Sequence, residues 1–356
     1  MTVGRRWYAF CAIALASIAL AACDGGAKPT TTPAPGAAST ATAAALFDAP
    51  TASAPATASS GTAAGASPIA TPDLAGRTPC ATAKPHATGD SDETLRSGGI
   101  DRTYILHVPP SYDGTRRTPL VLNLHGFGSN ARQQAIYSGF PAKGDREGFI
   151  VVTPDGTGEP RHWNYPGIGG ADDIAFMRDL LDHVETDLCI DAKRVFVSGM
   201  SNGAAMSSFI ACAMPDRITA IAPVAATAYP PSCADVRAIP VISFRGTEDP
   251  CVPFDGGTST CGMRLPVAPV EDVMRNWATH DRCNLDAARQ RFGPHVRTIA
   301  YSECADDTAV VLFVIEGGGH TWPGSIDVPR LGPTTHEVNA TDEIWYFFVG
   351  QGQLRR

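Results

Sequence analysis

An α/β fold, with a mostly parallel central sheet and helices on both faces, is what this sequence predicts, on three observations. From Arg102 onward, short apolar runs rich in β-branched residues alternate with helical patterns, as strands and crossover helices do. One junction, Gly199-Met200-Ser201-Asn202-Gly203, joins a strand-like run to an Ala-rich helical run through two glycines. After Ile100 no internal repeat and no second change of composition interrupts the pattern, so one domain accounts for the rest of the chain.

The strands expected are 103–108, 120–124, 149–153, 195–198, 220–224, 241–244 and 310–315, and the clearest helices are 172–188, 202–214, 267–280 and 341–348. Asp172 and Asp173 stand where a helix begins, and carboxylates there complement the dipole and cap open N–H groups, a structural role.

The segment before this domain has a different character. Arg5 and Arg6 precede an apolar run over 7–20, too short to span a bilayer comfortably but built like a secretory signal. It ends in Leu20-Ala21-Ala22-Cys23, which resembles the bacterial lipoprotein signal. That resemblance implies a signal peptide over 1–22, lipidation of Cys23 and anchoring to the outer face of a membrane. The alternative is an ordinary signal peptide, cleaved at an Ala-x-Ala-like site, and a secreted product. Residues 23–79 are Ala, Thr, Ser, Pro and Gly with almost no charge and few large apolar side chains. Such a stretch buries too little surface to offset its ordering entropy, so it reads as a disordered tether, leaving 80–356 as the folded domain.

Setting aside Cys11 in the signal and Cys23 leaves eight of the 10 cysteines. An even number in an exported chain argues for disulfides, with Cys251–Cys261 closing a short loop and Cys283–Cys304 joining a helix end to a following hairpin. No Cys-x-x-Cys pair or Cys/His spacing suits zinc, so no metal is expected. The net charge of -8, without a basic stripe, disfavours nucleic acid as a partner.

The chemistry centres on Ser201. The run 193–198 is a plausible buried strand and 202–214 a small-residue helix, and Gly199 and Gly203 remove the Cβ atoms that would collide in a sharp strand-to-helix turn. Ser201 is thereby presented at the carboxyl edge of the sheet, where doubly wound folds place their sites. A serine hydroxyl attacks only when an imidazole takes its proton, and that imidazole needs a carboxylate to fix its tautomer. Asp249 follows the strand 241–244 in Gly246-Thr247-Glu248-Asp249-Pro250, with Glu248 and Asp255 as rival acids. His320 follows the strand 310–315 in Gly317-Gly318-Gly319-His320, unlike the other histidines. The order Ser201, Asp249, His320 is that of the α/β-hydrolase fold. Backbone N–H groups of Asn202 and Phe127, the latter in His125-Gly126-Phe127-Gly128 after the strand 120–124, are the candidate oxyanion donors, and His125 is expected to brace that loop. Trp163, Tyr165 and Trp322 lie in Gly- and Pro-containing loops and are expected as walls of a substrate pocket.

Together, Leu124-His125-Gly126, Gly199 to Gly203, Gly246 to Pro250 and Gly317 to Gly324 resemble the secreted polyhydroxybutyrate depolymerase and feruloyl esterase family, related to the family 1 carbohydrate esterases. The resemblance runs from about Ile100 to the C-terminus. It implies a serine esterase without a cofactor, acting on feruloyl or acetyl esters of plant polysaccharide or on poly(3-hydroxybutyrate), with the triad on the same three residues. Arg245 stands where that family often has His and is expected to alter the pocket's charge. A non-catalytic surface binding protein and an acyltransferase are the competing functions, since fold alone never proves activity.

Overall fold

The computed structural model describes residues 78–166 and 168–354. The expected signal segment, Cys23 and the tether as far as residue 77 lie outside the described residues. All described residues belong to one compact unit, Pro68–Arg356. Thr78 and Pro79, expected as the end of the tether, belong to the fold: Thr78 O accepts from Arg117 N–H at 2.9 Å, and Pro79 bridges to Arg116.

In chain order the elements are β1 (Gly89–Ser97), β2 (Ile100–Val108), β3 (Thr118–Leu124), α1 (Ala131–Ser138), α2 (Phe140–Glu147), β4 (Ile150–Pro154), α3 (Asp173–Asp187), β5 (Ile190–Met200), α4 (Asn202–Ala213), β6 (Ala220–Val224), β7 (Val241–Gly246), β8 (Gly257–Thr258), β9 (Pro266–Val267), α5 (Val270–His280), β10 (Ala288–Arg291), β11 (Val296–Tyr301), β12 (Val310–Ile315) and α6 (Ala340–Leu354). Among the described residues ten strands form one sheet, ordered β1-β2-β4-β3-β5-β6-β7-β12-β11-β10. The pairs from β4 through β12 are parallel, and antiparallel strands close both edges.

Alternation along the buried strands sends neighbouring residues to opposite faces. Leu120, Leu122 and Leu124 of β3 join Val195 and Val197 of β5 in one core with α3, α4 and α5. Val121 and Phe196 point the other way, into a second core with Phe140 of α2 and Trp345 and Phe348 of α6. The Phe348 ring stacks on Phe196 at 4.4 Å, a contact worth about 0.5–1.5 kcal/mol beyond its buried area.

The expected helix from 267 begins later, at Val270, because Pro266 and Val267 pair with β8 and Pro269 takes an extended conformation at the helix boundary. The expected disulfides Cys251–Cys261 and Cys283–Cys304 are present, and Cys80–Cys189 and Cys212–Cys233 accompany them. No helix among the described residues is long and apolar enough to cross a membrane.

At the start of α3 the two aspartates divide the work. Asp172 caps the helix by accepting from Ala175 N–H at 2.9 Å. Asp173 is fully buried, paired with Arg102 at 2.6 Å, and its other oxygen accepts from the backbone and side chain of Asn164. The Arg102 guanidinium also lies 3.8 Å from the centre of the Phe176 ring. Removing one partner strands the other charge without water, so Asp173→Ala is expected to lower stability by about 3–5 kcal/mol, measured by urea unfolding. Asp172→Ala, which removes only a cap, is expected to cost about 1 kcal/mol.

Candidate active site

β5 ends in a turn that puts Ser201 at φ 57° and ψ -117°, a conformation that residues with a Cβ adopt only when the surroundings impose it. Its N–H donates to Val224 O at the end of β6 and its carbonyl accepts from Ala205 N–H, the first bond of α4. The helix then runs back so close to β3 that a Cβ on Gly203 would lie 2.5 Å from both Leu124 O and His125 O. A Cβ on Gly199 would lie 2.6 Å from Gly203 O, so both glycines of the motif are required by contact.

β7 and β12 are parallel neighbours, paired from Val241↔Val310 to Gly246↔Ile315, so the loops after them leave the same sheet edge as Ser201. Those loops carry Asp249 and His320, both buried. His320 Nδ1–H donates to Asp249 Oδ2 at 2.8 Å, while Asp249 Oδ1 accepts from the N–H groups of Cys251 and Val252, each at 2.8 Å. The rival acids Glu248 and Asp255 are exposed. With Nδ1 committed to Asp249, Nε2 is the nitrogen available to take a proton.

The loop after β3 passes beside the serine, for a Cβ on Gly126 would lie 3.4 Å from Ser201 Cβ. His125 anchors this loop. Its Nδ1–H donates to Gly126 O at 2.7 Å, and Nε2 accepts from Gly156 N–H at 2.9 Å. Burial pushes its pKa down to about 4, so the ring is neutral near pH 7 and is a brace, not a base. The N–H groups of Phe127 and Asn202 donate to no acceptor among the described residues, and both residues line the cleft beside Ser201. The Asn202 side chain is occupied elsewhere: Oδ1 accepts from Trp163 N–H at 2.6 Å and Nδ2 donates to Trp163 O at 3.2 Å.

The cleft has a volume of about 440 Å³, with Ser201 in its lining. Tyr165 stacks on Phe209 at 4.6 Å on one side, and Tyr229, Met263 and Leu265 contribute elsewhere. Two of the three expected pocket aromatics lie outside this lining. Trp163 is fully buried, with its indole N–H donating to His125 O, and it fills the core behind the β3 loop. Trp322 is likewise buried, packed edge-on against Phe140 with its indole N–H on Thr341 Oγ1. Large rings in Gly/Pro loops are expected at the surface, but each loop folds inward to satisfy its indole. Arg245 also departs from expectation. It is buried behind the acid loop, donates to Val252 O at 2.9 Å, and lends no charge to the cleft lining; burial pulls its pKa down to about 10. Phe209 and Tyr229 are pocket residues that no motif marks. For Phe209 a signal exists all the same: Ser201, Ala205 and Phe209 recur every four residues, one face of a helix.

Asp249, Cys251 and His320 hold ligand-type atoms within 4.8 Å of one another. Cys251 is in a disulfide and supplies no thiolate, and Asp249 and His320 are bonded to each other, so the set does not suit a metal.

Comparison with known proteins adds a family. The profile described as Esterase PHB depolymerase matches residues 102–266. A protein of Aspergillus oryzae named "Probable feruloyl esterase C" is 30% identical over 255 residues, covering 70% of this chain and 84% of that protein. Feruloyl esterase B of Piromyces equi is 29% identical over 229 residues, 62% of this chain; the match spans 42% of that longer protein. Among solved structures, an acetyl xylan esterase from Aspergillus awamori superposes with a TM-score of 0.51 at 14% identity, covering 73% of this chain and 99% of that one, a likeness of α/β-hydrolase fold.

The buried His125 makes stability depend on pH. Its folded pKa of about 4 lies below the ordinary 6.5, so the unfolded chain binds the proton first. The contribution is intact above pH ~6.5 and is lost as pH falls, by about 1.4 kcal/mol per unit and about 3 kcal/mol in all. His125→Asn is expected to be less stable at neutral pH yet to show a shallower loss of stability between pH 7 and 4.5, measured by urea unfolding at each pH.

Proposed function

Because the chain belongs to the Esterase PHB depolymerase family, whose named relatives are carboxylic ester hydrolases, we propose that it is a serine esterase working through Ser201, His320 and Asp249. His320 Nε2 takes the Ser201 proton as the oxygen attacks the ester carbonyl, and Asp249 holds the Nδ1–H tautomer and stabilises the imidazolium. The Asn202 and Phe127 N–H groups receive the developing oxyanion. Collapse expels the alcohol with the proton from His320, leaving an acyl group on Ser201, which water activated by the same imidazole removes. The observation that carries this reading is the 2.8 Å bond from His320 to a carboxylate already held by two N–H groups, at the sheet edge that presents Ser201.

The acyl group is a hydroxycinnamoyl group such as feruloyl, linked to plant polysaccharide. An acetyl group fills little of a cleft of about 440 Å³, whereas Tyr165, Phe209 and Tyr229 offer faces and edges to an aromatic ring. A short poly(3-hydroxybutyrate) chain is the second reading, favoured by the family profile. The Leu20-Ala21-Ala22-Cys23 sequence, with four disulfides, supports an exported protein held to a membrane by lipid on Cys23.

The full chain is expected to hydrolyse methyl ferulate and p-nitrophenyl acetate and to be labelled at Ser201 by a fluorophosphonate. Ser201→Ala is expected to lose about four to six orders of magnitude in kcat, and Asp249→Asn about four, with unchanged circular dichroism. A wild-type protein inert to both esters and to the probe would leave a binding protein. Release of ferulate from feruloylated xylan, against hydroxybutyrate from its polymer, separates the two substrate classes.

A further inference from the structure

The connection between β7 and α5 carries Asp249 at its start and the β8–β9 hairpin after it. We infer that the Cys251–Cys261 disulfide is a specificity clasp, pinning the tip of that hairpin to the acid loop so that Cys261, Met263, Leu265 and Val267 stand as one wall of the acyl cleft. The inference rests on the reading of Ser201 as nucleophile and of this cleft as the acyl pocket.

The hairpin's own bonds give it shape but do not attach it. Ser259 N–H donates to Leu265 O at 2.9 Å, Leu265 N–H to Ser259 Oγ at 2.9 Å, and Ser259 Oγ to Met263 O at 2.6 Å, all within the hairpin. Among the described residues, three attachments tie its tip to the rest of the domain. Thr260 N–H donates to Cys251 O at 2.8 Å and its hydroxyl donates to Pro250 O. The turn at Gly262 lies against the Phe127 ring, so closely that a Cβ there would be 2.7 Å from two ring carbons. The third is the disulfide, from Cys251, 1% exposed, to exposed Cys261 at the cleft.

The clasp acts on the wall rather than on the reacting groups. Asp249 is bonded to His320 Nδ1 and to two backbone N–H groups, and none of these bonds passes through sulfur. Cutting the disulfide frees the tip from its covalent attachment and raises the entropy lost whenever the wall closes on an acyl group. A long aromatic acyl group that reaches Met263 and Leu265 feels that loss; an acetyl group confined to the neighbourhood of Ser201 feels less of it.

The test is the double variant Cys251→Ala/Cys261→Ala in the full chain, with methyl ferulate and p-nitrophenyl acetate as substrates. The expected result is a fall of about tenfold in the ratio of kcat/KM for ferulate to that for acetate, the scale on which a pocket discriminates by one small apolar group, carried mainly by a higher KM for ferulate. A ratio within about twofold of wild type overturns the inference, whether activity as a whole is kept or lowered on both esters alike. Gly262→Ala, which keeps the disulfide but pushes the tip off Phe127, is expected to move the ratio the same way, and it decides the matter if the double variant does not fold. Wild-type protein that fluorophosphonate does not label at Ser201 sinks the underlying reading and the inference with it. Labelling at Ser201 with an unchanged ratio sinks the inference alone.

Discussion

The turn at Ser201 is the constraint on which the rest of the site depends. Holding a residue with a Cβ at φ 57° costs about 1–3 kcal/mol, and the conformation persists only where neighbours over-determine it. Here a fully buried stretch of β5 fixes the chain on one side, α4 fixes it on the other, and Val224 O takes the serine's own N–H. The contact of Gly203 with the last carbonyls of β3 brings α4 and the β3 loop together. That same approach puts Phe127 beside the serine and points the Ala205 and Phe209 face of α4 into the cleft. The proposed nucleophile, the proposed oxyanion donors and one cleft wall are therefore all positioned around one strained residue.

Around this turn the buried polar side chains of His125, Trp163 and Asn202 hold one another and the neighbouring loops. His125 uses both ring nitrogens within loops, Trp163 gives its indole proton to His125 O, and its backbone N–H and carbonyl are both taken by the Asn202 side chain. A buried network of this kind is worth keeping only when every member is satisfied, because an unpaired group in a low-dielectric interior costs more than the bond gained. Against it the Phe127 and Asn202 N–H groups stand out: among the described residues they are donors without an acceptor where neighbouring donors are engaged.

How much of this is legible in the sequence depends on how local the cause is. The parallel strands announce themselves as apolar runs, and the two glycines around Ser201 announce the turn. β1 and β10 are silent because edge strands face water: Ala288–Arg291 is exposed throughout, and Gly89–Ser97 is mostly polar. α1 and α2 are hidden by composition, since α1 has several polar residues and α2 carries a proline at its start and a glycine within. Trp163 and Trp322 mislead because a Gly/Pro neighbourhood predicts a loop correctly but says nothing of whether that loop turns its ring inward. Arg245 misleads likewise: its charge is visible in the sequence, its burial behind Val252 is not.

Under the proposed function, the β7–α5 connection separates chemistry from selection. Asp249 is secured within a few residues of the sheet, by Cys251, Val252 and the loop after β12, before the chain departs into the β8–β9 hairpin. The bonds that hold the proposed proton path are then complete, and the side chains of the hairpin can vary without displacing the carboxylate. The chain rejoins the core at the start of α5, where Val270 is buried and its N–H donates to Phe254 O. Loops supported by a rigid sheet tolerate change that strands do not, so under the proposed function selection for a different acyl group can act on residues 257–268 while Asp249, His320 and the strained Ser201 stay where the sheet puts them.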